Sequence, residues 1–167
     1  MPRTLYTSPH GQRTVDPDEE LLRHSLFEQP WEEWWHSPNN SALLQVILDD
    51  DEEGDCSIEG HIPTNTFYRV SQSHPCLAIF QPEREEFFIV CFDSGREFYH
   101  CTGDSLEDFA VYHSGGEQYR IPRACLIGPE AALQILLEFK ESFSRSSAVH
   151  WKGREELPIP DDFWDPL

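Results

Sequence analysis

The chain has 167 residues, 38% of them hydrophobic and 13% aromatic, which is enough to bury a core as one globular domain without disulfides. Its 31 acids oppose 12 bases for a formal net charge of -19, a surface that repels phosphate backbones and so disfavours a sequence-independent DNA or RNA binder. Such a surface suits a basic protein partner, or serves only to keep the chain in solution.

In chain order, residues 1–15 (MPRTLYTSPHGQRTV) mix Pro, Gly, Ser and Thr without periodicity and predict a flexible N-terminal arm. They lack the apolar run of a secretory signal, and no stretch of the chain reaches the roughly 18 apolar residues of a membrane span, so the expectation is a cytoplasmic protein with no membrane partner. A single domain is expected over 16–154. DPDEELLRHSLF places acids in a first turn, then Leu21, Leu22, Leu26 and Phe27 on one face of a short helix. After Pro30, Trp31, Trp34 and Trp35 follow at the i, i+3, i+4 spacing that a helical turn gathers on one side. ALLQVIL (42–48) reads as a strand that runs into LDDDEEGD, where six of the seven residues from Asp49 to Asp55 are acids.

Six further segments have strand character: TFYRVS, CLAIFQ, EFFIVCF, REFYHC, FAVYHS and EQYRI. Short links rich in turn residues, such as DSG and SGG, separate several of them and predict an antiparallel meander. Gly128-Pro129-Glu130 opens the strongest helix, with Ala132, Leu133, Leu136, Phe139 and Phe143 recurring at a period of about 3.6. SSAVHWK predicts a last strand, and 155–167 reads as an acidic aromatic tail. The fold class expected is α+β: a mostly antiparallel sheet of about five to seven strands, a long C-terminal helix packed on one face, then a final strand.

Most catalytic and metal chemistry fails on spacing. With Asp49 in the first position of a calcium loop, Asp51, Glu53, Gly54 and Asp55 fall in place, but the twelfth position is Gly60 where a bidentate Glu is needed, and Pro63 obstructs the exiting helix. For zinc, Cys91, His100, Cys101 and His113 lack short paired spacing, and neighbours on a strand such as His100 and Cys101 point to opposite faces. Five cysteines, odd in number and without a CxxC pair, read as small buried thiols of a reducing compartment. None of the eight histidines begins the His-x-Glu of a zinc deaminase. Gly103-Asp104-Ser105-Leu106 spells the nucleophile block of GDSL hydrolases, but no Asp-x-x-His pair follows to activate the serine, so a turn is preferred. With no GxSxG, P-loop or GxGxxG either, neither a catalytic role, a cofactor nor a small-molecule substrate is expected. A small hydrolase using Ser105 and a calcium-binding regulatory module are the competing readings.

What remains is a surface for a partner. The acids Asp49, Asp50, Asp51, Glu52, Glu53 and Asp55 would speed encounter with a cationic protein, and Trp31, Trp34 and Trp35, flanked by Glu32 and Glu33, would anchor it. The competing role for the tryptophans is in the core.

The stretch YRIPRACLIGPEAALQILLEFKESFSRSSAVHW resembles the immunity proteins of bacterial polymorphic toxin systems, in the family paired largely with deaminase toxins. The shared pattern is an Ile-Pro step (Ile121-Pro122), a helix ending in apolar-Glu-Phe (Leu137-Glu138-Phe139), and a strand with an apolar residue two before a Trp (Val149 and Trp151). The segment from Cys76 to Gly116, including VYHSGG, is similar in order and spacing, so the likeness covers 76–152. Ser144 to Ser147 stand where that family usually carries a Gly-containing turn and a Pro. The resemblance implies a non-catalytic inhibitor that binds a cognate toxin, of the deaminase class, in the cytoplasm of the producing bacterium.

Overall fold

The computed structural model describes residues 1–29, 34, 41–48, 74–81, 88–100, 106–114, 117–147 and 149–157. The strands are β1 (Arg3–Thr7), β2 (Arg13–Val15), β3 (Ser41–Ile47), β4 (Cys76–Phe80), β5 (Ile89–Asp93), β6 (Glu97–His100), β7 (Phe109–Ser114), β8 (Glu117–Pro122) and β9 (Trp151–Gly153); the helices are α1 (Glu19–Phe27) and α2 (Pro129–Ser142). Among the described residues this is an α+β chain: a seven-stranded antiparallel sheet in the order β2-β1-β3-β4-β5-β6-β9, a separate β7-β8 hairpin, and the two helices.

The N-terminal segment departs from the expected loose arm. Ser8 N–H donates to the Gln12 carbonyl (2.8 Å) and Gly11 N–H to the Ser8 carbonyl (2.8 Å), with Gly11 at φ 83°, so SPHG is the turn of a hairpin. β1 then pairs with β2 on one side and β3 on the other, Leu5 opposite Val15 and Gln45, and Leu5 and Tyr6 are buried. Pairing with distant β3 overrides a weak local signal. Asp16, at φ 49°, fixes the exit: its Oδ1 accepts from Thr4 N–H (2.9 Å) while its own N–H donates to the Thr4 carbonyl (2.7 Å).

β3, β4, β5 and β6 follow one another as antiparallel neighbours, as the apolar runs predicted. Gly95, at φ 91°, makes the β5-β6 turn, its N–H donating to Asp93 Oδ1 (2.8 Å). The meander does not continue: β7 and β8 pair with each other from Phe109 opposite Pro122 to Ser114 opposite Glu117, and β6 pairs with β9. The predicted strand TFYRVS lies outside the described residues.

The register puts Tyr6, Leu44, Leu77, Phe92 and Phe98 in one row across the sheet and Thr7, Leu43, Ala78, Cys91 and Tyr99 in the next, on the opposite face. Both rows are buried, Phe98 excepted, which explains why the central strands read as continuous apolar runs. Tyr6, Leu44, Leu77 and Phe92 join Leu22 and Leu26 of α1 and Leu133, Leu136 and Phe139 of α2 in one cluster.

Asp18 caps α1, its Oδ1 accepting from Leu21 N–H (2.8 Å), and Glu19 and Glu20 occupy the first turn. Of its predicted apolar face Leu22 and Leu26 are buried, whereas Phe27 is exposed beneath the Arg23 guanidinium, 5.4 Å from the ring centroid. α2 starts at Pro129 as predicted and ends with Phe143 in the left-handed region (φ 53°). Lys140 Nζ donates to the Pro17 carbonyl and so ties the last turns of α2 to the start of α1.

Candidate partner-binding surface

The nine residues singled out for partner binding divide sharply. Asp49, Asp50, Asp51, Glu52, Glu53 and Asp55, with Trp31 and Trp35, lie outside the described residues. Trp34 is described, and it is a core residue: it is 1% exposed, sits in the main cluster and meets Phe88 edge-on at 5.5 Å. An indole enclosed in this way cannot also anchor an incoming protein, so Trp34 is withdrawn from the candidate surface.

The flanks of the acidic run are fixed. β3 carries the chain out through Ile47 to the exposed Leu48, and Val46 N–H donates to the Pro75 carbonyl (3.1 Å) just before β4. Both ends of the connection that contains the acids are therefore held at adjacent strand termini, at the same end of the sheet as the β5-β6 turn, because Cys76 lies opposite Asp93.

The end of α2 and the last strand form one physical unit, whereas Ile121-Pro122 lies apart in the β7-β8 hairpin. Trp151 Nε1 donates to the Ser146 carbonyl (2.9 Å), and the Ser146 hydroxyl donates to Glu138 Oε2, so the end of α2, the serine-rich link and the last strand are bonded in series. Phe92 of β5 lies between them, edge-on to Phe139 at 6.2 Å and to Trp151 at 6.3 Å. Ser146 is buried and Val149 half-buried against the core, so the Ser144–Ser147 link is built into the structure. The last strand is shorter than SSAVHWK suggested, Trp151–Gly153, because Ser146 is engaged by the end of α2.

Beside this unit sits a pair of cations that spacing did not reveal. The Arg145 guanidinium lies 3.7 Å from the Phe98 ring centroid, and that of Arg96 lies 5.0 Å from it, with Arg96 also paired to Glu155. His100, two residues along β6 from Phe98 and on the same sheet face, is 4% exposed and meets Trp151 edge-on at 5.9 Å. Burial holds its pKa below the ordinary value, and the charge of His150 pushes the same way.

Among the described residues, no group of three or more His, Cys, Asp or Glu side chains comes together to hold a metal, and Cys76, Cys91 and Cys125 are buried. Cys91 shares its sheet face with Tyr99, opposite to that of His100, so the two do not converge. Cys101 and the Gly103-Asp104-Ser105 block lie outside the described residues. No described helix is long and apolar enough to cross a membrane. Leu157 is buried and Gly153 N–H donates to Glu156 Oε2 (2.7 Å), so packing continues into the start of the expected tail. No protein-family model matches the chain, and no curated protein matches it.

Proposed function

We propose that this chain is an immunity protein: a non-catalytic inhibitor that binds a cognate basic toxin, of the deaminase class acting on nucleic acid, in the bacterial cytoplasm. It covers the toxin's substrate groove with acidic and aromatic surface. The observation that carries this reading is the net charge of -19 with six acids gathered between Asp49 and Asp55. An enzyme that acts on nucleic acid presents a basic groove to phosphate, and carboxylates offered by an inhibitor compete for the same field.

The fold supports the reading through the resemblance. The family's pattern runs from an Ile-Pro step to a helix ending in apolar-Glu-Phe and then a strand, and α2 and β9 follow one another in that sequence, with Leu136 and Phe139 in one cluster with Val90 and Phe92. With Trp34 in the core, Trp31 and Trp35 remain as aromatic anchors and the acidic run as the steering element.

The test uses the toxin encoded by the adjacent gene. Stopped-flow association with the Asp49→Asn, Asp50→Asn, Asp51→Asn triple variant is expected to be about fivefold slower at low salt than with the parent chain, and less salt-dependent. An unchanged on-rate removes the acidic run from the interface. Turnover of a substrate by the purified chain alone removes the inhibitor reading.

A further inference from the structure

Along α2 runs an open groove of about 490 Å³ that the sequence did not suggest. One stripe of the helix lines it: Glu130, Gln134, Leu137, Glu138 and Glu141 recur at three- and four-residue intervals over about 16 Å of helix axis. Leu133 and Ala131, on either side of that stripe, and Arg23 of α1 complete its lining.

The groove is amphipathic with a fixed sign. Its three carboxylates face one cation, and that cation is engaged already, because Arg23 Nη2 lies 2.9 Å from Glu19 Oε1. Glu138 is held in place by two donors, Gln134 Nε2 at 3.0 Å and the Ser146 hydroxyl. Leu137, only partly buried, stands between Glu130 on one side and Glu141 on the other. Phosphate is repelled by such a wall, whereas an apolar side chain flanked by lysine or arginine would bury Leu137 and meet the carboxylates together.

We infer that this groove is a second docking site, taking a basic amphipathic helix of the partner protein with its apolar face on Leu137 and its cations on Glu130 and Glu141. The proposal rests on the reading of the chain as a protein-binding inhibitor and names where on that partner the second contact lies. Helix-in-groove recognition needs an apolar face at i, i+3, i+4, i+7 on the incoming segment, and the length of the stripe on α2 matches about three turns of it.

The probe is a synthetic peptide of about 18 residues, leucine and lysine arranged at helical spacing, with a scrambled peptide of the same composition as control. Added to the ¹⁵N-labelled full chain, the amphipathic peptide is expected to shift the amides of Arg23, Gln134, Leu137 and Glu141. Its affinity should fall about fivefold in the E130Q/E141Q double variant and by a similar factor in L137A, about one half-buried leucine's worth of apolar area. Glu138 is left intact because it also holds Ser146. Equal affinity for the scrambled peptide, shifts confined to other parts of the chain, or self-association of the chain through α2 in sedimentation each overturns the proposal. The toxin separates the two ideas. If the chain binds it and the groove variants bind equally well, the groove is wrong and the inhibitor reading stands; if the peptide occupies the groove and the toxin is ignored, the reverse holds.

Discussion

Trp34 sits in a sequence of acids and tryptophans, PWEEWW, that is equally good text for a core and for an interface. What separates the two is contact with residues far along the chain, here Phe88, and that contact is invisible in local spacing. Trp34→Ala is expected to cost about 3–5 kcal/mol, read from the urea midpoint, since it opens a cavity among close-packed rings. His100 carries a second residue-scale prediction. Its folded pKa lies below 6.5, by burial first and by His150 second, so on acidification the unfolded chain takes up a proton before the folded one does. Stability from this group is therefore complete above about pH 6.5 and falls as the pH drops through and below that value. His100→Phe keeps a ring against Trp151 but removes the titration, and its melting temperature should fall less between pH 7 and pH 5 than that of the parent chain. Proximity of His100 to Trp151 was not legible either, because it depends on the pairing of β6 with β9.

Elements were legible where local chemistry and burial agree. Pro129 at the first helical position and the apolar stripe through Phe139 announced α2, and the runs ALLQVI, CLAIF and IVCF announced strands that are buried on both faces. RTLYT lacks a clean period-2 alternation and lies among turn formers, so it carries little strand signal of its own, and it becomes a strand through β3. β9 was overestimated for the opposite reason: Ser146 to Val149 look like strand text, but Ser146 is bonded to Glu138. That bond makes a prediction about how α2 is joined to the last strand. Ser146→Ala should cost about 1 kcal/mol in thermal or chemical unfolding, the usual net value of a hydrogen bond, more if Glu138 is left short of a donor. Ser147→Ala, at an exposed neighbour, should change stability little.

At the scale of the whole molecule, the charge and the core are segregated. β1, β3 and β4 contain no acid, and among the described residues no Asp or Glu is buried. The sequence located one concentration of acids, Asp49 to Asp55, from composition alone; the groove on α2 escaped notice because glutamates at helical spacing look the same whether they flank water or a partly buried leucine. The sheet order has a consequence for how the chain is assembled. From β1 to β6 each new strand lands beside one already laid down, so the sheet can grow as the polypeptide emerges from the ribosome, with little loop entropy to overcome at each step beyond the longer span to β4. Only the β6-β9 edge must wait, since His100 meets Trp151 after the β7-β8 hairpin and α2 have been made, and closing that edge is the event that completes the molecule.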